Sequence, residues 1–427
     1  MGTNLRDRLR RIREAGRNTG RGTERIAAEK TAAGGRAGRG TVLSCPETRD
    51  PFSVPLGSEW DAAGFKTARR GVYPDVSRAF PPFRAPPGDL PLLIPDLFRY
   101  AAGGRGLPGP EDLLFFDLET TGLSGGAGTV AFLAAFGRFV PAGRDAGGAA
   151  RCGTESGGEG GAFRLRVTQY LLLDYPGEYD FLRALLPEWG GREGRPPLTV
   201  TYNGKCFDSP MIKTRCLMNG LEPPLFYHAD LLHPCRRLWK RVLPNCSQAA
   251  VETLIPGLDR DGDTPGALAP DIWFSFLRSG DASALRGVCD HNVKDVAGLA
   301  AIFLALAAIA DRPLEAEDAW RCDAEQLALC WRRALVPEAD CGPLLLRRAA
   351  ERGFPRACRQ LSMEAEWQRG DYGEAFAWAE KGLAAAGLRE SLRKDLERRR
   401  ERLAARLRGG TPAEALLHEK PDPQGEE

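Results

Sequence analysis

The chain has 427 residues, 43% hydrophobic and 27% charged, with a net charge of +2. That length allows two or three domains, and the composition is that of an ordinary globular protein. So small a net charge excludes a molecule that binds polyanions over its whole surface. Eleven cysteines, an odd number with no C-x-x-C pair, read as scattered reduced thiols and exclude a disulfide framework.

Residues 1–40 are rich in Arg and Gly and nearly devoid of large apolar side chains after Ile26, and the segment 1–45 reads as one arm. A disordered basic arm is expected, serving either as a non-specific nucleic-acid contact or as a solubilising tail. It lacks the apolar stretch of a secretory signal. No window reads as a bilayer-spanning run; the most apolar, 296–310, is Ala-rich and reads as a buried helix. A cytoplasmic protein without membrane contact is therefore expected. Residues 46–110, rich in Pro and Gly, read as an irregular lead-in that packs on the next domain through Trp60, Phe65 and Tyr73.

From residue 111 the pattern sharpens. Strands are predicted at 112–117, 129–140 and 164–173, with a Gly-rich loop at 141–161, as in an antiparallel meander. A helix follows at 178–186, where Phe181, Leu182, Leu185 and Leu186 share one face. Next come a strand at 198–202 and a helix at 209–219, with Pro210 in its first turn and Gly220 just past its end. A strand at 226–230 leads to a basic helix at 231–242. A short helix follows at 247–254, N-capped by Ser247. Helices at 271–278 and 282–310, the latter broken near Gly287, complete a domain over 111–312: an α/β fold with a mixed sheet flanked by helices. Residues 313–410 are Ala-, Leu- and Arg-rich and read as all-α, with helices at 325–335, 344–353 and 389–408. The segment 370–383 looks like part of a tetratricopeptide repeat. Such a region either offers a groove to a protein partner or caps the preceding domain. Residues 411–427 read as a disordered tail.

Three pieces carry chemistry. Asp117 and Glu119 stand two apart on the first strand, so both project from one face. Aligned anions are costly to remove from water unless a cation joins them, and oxygen ligands suit Mg²⁺ or Mn²⁺. The second piece, Tyr202-Asn-Gly-Lys-Cys-Phe-Asp208, lies between a strand and a helix, where Asp208 reaches the same sheet edge. There Asn203 and Gly204 supply a sharp turn. In the third, His291 and Asp295 lie four apart on one helix face. Four clustered carboxylates without metal are expected to raise at least one pKa among them. Asp230 reads as an N-cap. Lys205, Arg236, Arg237, Lys240 and Arg241 read either as phosphate contacts or as a solvated face. The spacing of His228, His233, Cys235 and Cys246 matches no zinc pattern.

These pieces, in this order, resemble the DEDD exonuclease superfamily, and more narrowly a YprB-like ribonuclease-H-like exonuclease domain, over about residues 110–312. The segment Asp230-Leu-Leu-His-Pro-Cys-Arg-Arg-Leu-Trp239 supports the narrower match. The resemblance implies a ribonuclease-H-like fold and metal-dependent 3′→5′ hydrolysis of phosphodiester bonds in single-stranded DNA or RNA. It further implies two Mg²⁺ or Mn²⁺ ions held by Asp117, Glu119, Asp208 and Asp295, with His291 as general base. Thr120, Leu123, Asn203, Lys205 and Phe207 are then expected to meet the substrate. One departure stands out. In the branch that uses His, five positions usually separate it from the last Asp, whereas His291 and Asp295 are four apart, the spacing of the branch that uses Tyr. An alternative reading keeps the fold as a scaffold acting through its helical repeats; the four filled acidic positions favour the enzyme.

Overall fold

Seven strands form one sheet in the order β1-β2-β5-β4-β3-β6-β7. They are β1 (Asp61–Gly64), β2 (Thr67–Val72), β3 (Leu113–Thr120), β4 (Ala131–Pro141), β5 (Phe163–Leu172), β6 (Leu198–Thr201) and β7 (Tyr227–Asp230). The computed structural model describes residues 56–74, 86–102, 105–122, 128–141, 163–191, 195–332 and 341–409. The predicted basic arm, the 141–161 loop beyond Pro141, the C-terminal tail and Leu123 lie outside the described residues. Strands β1 to β5 pair antiparallel with their neighbours, whereas β3, β6 and β7 run parallel. The sheet is therefore mixed, and β3 is the strand at which its direction rule changes.

The lead-in is more regular than its composition predicts. Residues 61–72 form a hairpin, and β2 adds to the sheet through β5, pairing Arg70 with Gln169. Its alternation is carried by Ala68 and Arg70 instead of large apolar side chains, and its turn by Lys66 at φ 52° instead of Gly or Asn. Both usual hairpin signals are thus missing. Two short helices, α1 (Leu90–Leu93) and α2 (Asp96–Ala101), follow it.

The remaining helices of the domain are α3 (Glu178–Leu185), α4 (Asp208–Met218), α5 (Leu232–Trp239), α6 (Gln248–Leu254), α7 (Ala269–Ser279) and α8 (Ser283–Asp311). Side-chain alternation on β3 splits the core in two. Leu114, Phe116 and Leu118 join Trp189 and Trp273 on one face, while Leu113 and Phe115 meet α8 through Phe303 on the other. Asp117 and Glu119 continue this second row, so the stripe facing α8 is apolar at its start and anionic at its end.

Helix α8 runs unbroken for 29 residues, without the predicted break at Gly287. A Cβ at Gly287 would stand 2.4 Å from Thr264 Oγ1. This glycine thus serves the close approach of a loop to the helix, not a kink. By length and composition α8 would also cross a membrane, contrary to the reading that no segment does, yet 83% of its most apolar window is buried inside the protein. From Val296 to Ala310 it is apolar on all sides because the protein encloses it, the sheet, α1, α6 and α7 packing against α8.

Beyond it the chain is all-helical: α9 (Ala316–Trp320), α10 (Ala324–Trp331), α11 (Cys341–Glu351), α12 (Pro355–Glu364), α13 (Tyr372–Leu383) and α14 (Glu390–Leu407). From α10 on, each packs against the next in chain order. This region is fastened to the sheet domain by polar contacts. Trp239 Nε1 donates to the Trp320 carbonyl at 2.9 Å, and Trp331 Nε1 to Asp89 at 3.0 Å. Arg241 pairs with Glu325 at 2.8 Å and Asp323 at 3.4 Å.

Candidate active site

The first carboxylates sit where the sheet changes from antiparallel to parallel, at the C-terminal end of β3, the position where open α/β sheets place their ligands. Asp117 pairs across the sheet with Ala135 and Glu119 with Leu133, and a bulge follows Glu119. Asp117 Oδ2 accepts a 2.7 Å hydrogen bond from Asn292 of α8. Asn292 is fully buried and held in turn by Gln169 of β5 at 2.9 Å, which Arg70 of β2 holds at 2.7 Å. Arg70 lies over the Trp60 ring, 4.8 Å from its centroid. A relay of four side chains thus runs from the added hairpin to Asp117.

Asp208 arrives from the other side, at the first position of α4. Its approach depends on the 203–207 turn. Asn203 adopts the left-handed conformation (φ 65°), and a Cβ at Gly204 would stand 2.6 Å from Asp208 Oδ2 and 2.5 Å from Thr201 Oγ1. Asp230, at the end of β7, clamps this turn by accepting from the amides of Asn203 at 2.8 Å and Lys205 at 3.2 Å. It also accepts from the Leu232 amide at 3.1 Å, but the N-cap position of α5 is Leu231, so Asp230 is not the predicted N-cap and instead shapes the Asp208 loop.

The third side is α8. Ligand atoms of Glu119, His291 and Asp295 lie within 4.8 Å of one another. His291 Nε2 is 3.3 Å from Asp295 Oδ2 and 3.9 Å from Glu119 Oε1. His291 Nδ1 meets Asp263 Oδ2 at 2.8 Å. Asp263 lies in the 255–268 loop with Arg260, whose guanidinium bonds Glu252, Asp295 and, at 2.9 Å, Asp263.

The electrostatics follow from this crowding. Burial, then the charges of Asp295, Asp208 and Glu119, hold the Asp117 carboxyl well above its usual range; the Asn292 hydrogen bond opposes them. Burial, then Asp295, Asp208 and Asp263, push Glu119 up to about 8. Burial, together with the charge of Asp230, raises Asp208 to about 7, against its own backbone hydrogen bond. Asp263 differs: burial raises its pKa, but the His291 hydrogen bond and charge, with Arg260 and Lys294, bring it below the usual value. Among the described residues, no Lys or Arg pairs with Asp117, Glu119 or Asp208. A carboxylate set with an imidazole, in which Arg260 meets Asp295 but not the other three carboxylates, is the donor chemistry a divalent cation fits.

The other predicted contacts differ in what they touch. Lys205 Nζ pairs with Asp96 at 2.6 Å, so its charge is taken up within the protein and not left for substrate. Thr120 Oγ1 donates to the Gly122 carbonyl at 2.9 Å and shapes the turn after β3. Phe207 packs partly buried against the core, while Asn203 is exposed beside the cluster. Arg241 is spent on the C-terminal helices, and the Arg237 guanidinium contacts Cys330 Sγ at 3.9 Å. Both ring nitrogens of His228 are hydrogen-bonded, to Thr201 and Ser209, and burial lowers its pKa to about 4. Sequence reasoning missed Arg260, Asp263, Asn292 and Gln169. Gln169 carried a signal as an amide at the head of the apolar run Tyr170–Leu173, whereas Asn292 stands among Asp290, His291, Lys294 and Asp295 and carried none.

A family model described as the RNase_H superfamily matches residues 160–307. The chain is also 37% identical over 197 residues to the uncharacterized protein YprB of Bacillus subtilis (strain 168), a stretch covering 45% of this chain and 41% of that protein. The chain therefore spans less than half the length of this relative.

Proposed function

Because residues 160–307 match the RNase_H superfamily model, we propose that the chain is a metal-dependent 3′→5′ exonuclease acting on single-stranded DNA or RNA in the cytoplasm. One observation carries the reading: Asp117, Glu119, Asp208 and Asp295 converge at the end of β3, with Asp117 held by a neutral amide and not by a cation. Glu119, Asp295 and His291 Nε2 would hold one divalent ion, and Asp117 with Asp208 would complete the shell of a second. Bound there, the metal supplies Lewis-acid stabilisation of phosphate oxygens and a more acidic water.

The protein's own groups do the rest. Asn292 fixes Asp117 Oδ2 and leaves the other oxygen for ligation. An ionised Asp263 can only accept, so it sets the His291 proton on Nδ1 and leaves the Nε2 electron pair facing the cluster. At that atom His291 accepts a proton from an attacking water or ligates metal. Asn203, exposed beside Asp208, is placed to contact the strand end.

A paired assay tests this reading. Wild type and Asp117→Ala are incubated with 3′- and 5′-labelled single-stranded DNA and RNA in Mg²⁺, Mn²⁺ or chelator. Metal-dependent shortening from the 3′ end, absent in the variant, is expected. No cleavage of any substrate, with no metal binding by calorimetry, overturns it.

A further inference from the structure

Far along the chain from the acidic cluster, the C-terminal helices line an open concavity of about 440 Å³ with the opposite charge. Three elements converge on it. Arg332 comes from the end of α10, Arg356 and Arg359 from the first two turns of α12, and Arg389 from the N-cap of α14. Asp395 is the carboxylate in the lining, and it is committed to Arg359, 2.5 Å from its Nε. Among the described residues no carboxylate pairs with the guanidiniums of Arg332, Arg356 or Arg389, although the Arg356 backbone amide donates to Glu325 at 2.7 Å. Three unpaired guanidiniums around one concavity repel one another, and an anion relieves that repulsion.

The arrangement favours a phosphate over a carboxylate. Guanidiniums approaching from three separate elements suit a group with oxygens in several directions, whereas a planar carboxylate is met by a single fork. Leu329 and Leu392 supply apolar wall beside them, against which a flat, weakly polar group can lie. The volume is within the range of small-molecule sites, roughly 300–1,000 Å³. We propose that this cavity binds a nucleotide through its phosphate, with the base against the leucines. The nucleotide is either free or part of a strand.

The test is equilibrium binding to the full chain in chelator, where the acidic cluster repels nucleotides. The probes are adenosine 5′-monophosphate, adenosine, a fluorescent single-stranded oligonucleotide and a hexaglutamate peptide. The monophosphate is expected to bind and adenosine not to. The double variant Arg356→Ala/Arg389→Ala should bind at least about tenfold more weakly with an unchanged circular-dichroism melt, and the corresponding double lysine variant should recover part of the loss. If the strand is the ligand, the oligonucleotide binds much tighter than the monophosphate, and the double alanine variant lowers its salt dependence by about two ions. If the free nucleotide is the ligand, the two bind alike. The proposal is overturned if the monophosphate does not bind at millimolar concentration, if the double alanine variant binds it as wild type does, or if hexaglutamate binds equally well. None of these readouts depends on cleavage, so they remain valid if the nuclease reading fails.

Discussion

Two buried carboxylates in this molecule are treated in opposite ways. Glu366, among the C-terminal helices, has its side chain only 1% exposed and receives Arg399 at 2.6 Å and Arg402 at 2.7 Å. Asp117, beneath α8, receives one amide. The first anion is neutralised by the chain itself and ties α14 to the end of α12; the second is left short of positive charge. Structural anions bring their own counter-charge, whereas an anion that must receive a ligand is kept available for it, at the expense of stability.

Removing charge at the two places should therefore have opposite consequences. Asp117→Asn keeps shape and the amide contact but removes the charge. Cleavage should fall by on the order of 10⁴-fold, since groups acting as one unit fail together. The melting temperature of the chelated protein should meanwhile rise. A variant with near-normal turnover, or a lower melting temperature in chelator, would break the comparison. Glu366→Ala takes the carboxylate away from the buried Arg399 and the half-buried Arg402. A loss of roughly 3–5 kcal/mol from the C-terminal helices is expected, read by denaturant unfolding monitored at Trp367 and Trp378. A loss below about 1 kcal/mol would show that the pair carries little.

The same contrast has a pH signature. Glu119 is raised to about 8 and Asp208 to about 7, both above their unfolded values, so the folded state holds protons that the unfolded chain has released. Their contribution to stability is complete below the unfolded carboxylate range and is lost as pH rises through about 7 to 8. In chelator the melting temperature should fall between pH 5 and about 8. Mn²⁺, which needs the deprotonated ligands, should reverse most of that fall at the upper end. A melting temperature in chelator that is flat or rising over this range would contradict the crowding of the carboxylates.

Legibility in the sequence divides along similar lines. Asp117 and Glu119 were readable because a strand's period of two fixes their common face, and His291 with Asp295 because a helix fixes i and i+4. The mixed sheet was readable from the order of apolar runs. The β1–β2 hairpin was not, since Ala68 and Arg70 replace the usual apolar alternation and Lys66 replaces a turn-forming Gly or Asn. Arg260 and Asp263 sit in a loop, where no periodicity assigns a direction to a side chain. Lys205 and Arg241 read equally as phosphate contacts or as a solvated face, because a basic residue near a site looks free until its partners, Asp96 and Glu325, are brought to it by distant parts of the chain.

The smallest expected effect is also the one that best separates orientation from charge. Asp263 stands outside the Glu119–His291–Asp295 triad and reaches it through the His291 ring and Arg260. It is a positioning residue, and outer partners of this kind typically contribute 10–100-fold. Asp263→Asn should lower kcat by about that factor, leave KM and Mn²⁺ affinity near wild type, and shift the imidazole tautomer seen by ¹⁵N NMR at His291. Asp263→Glu should recover part of the rate. His291→Ala should lose more, roughly 10²–10⁴-fold, if the ring moves a proton. If Asp263→Asn instead weakens Mn²⁺ binding as strongly as it lowers kcat, His291 Nε2 acts as a metal ligand. The histidine four residues before Asp295 would then belong with the carboxylates, and the proton would have to leave by another route.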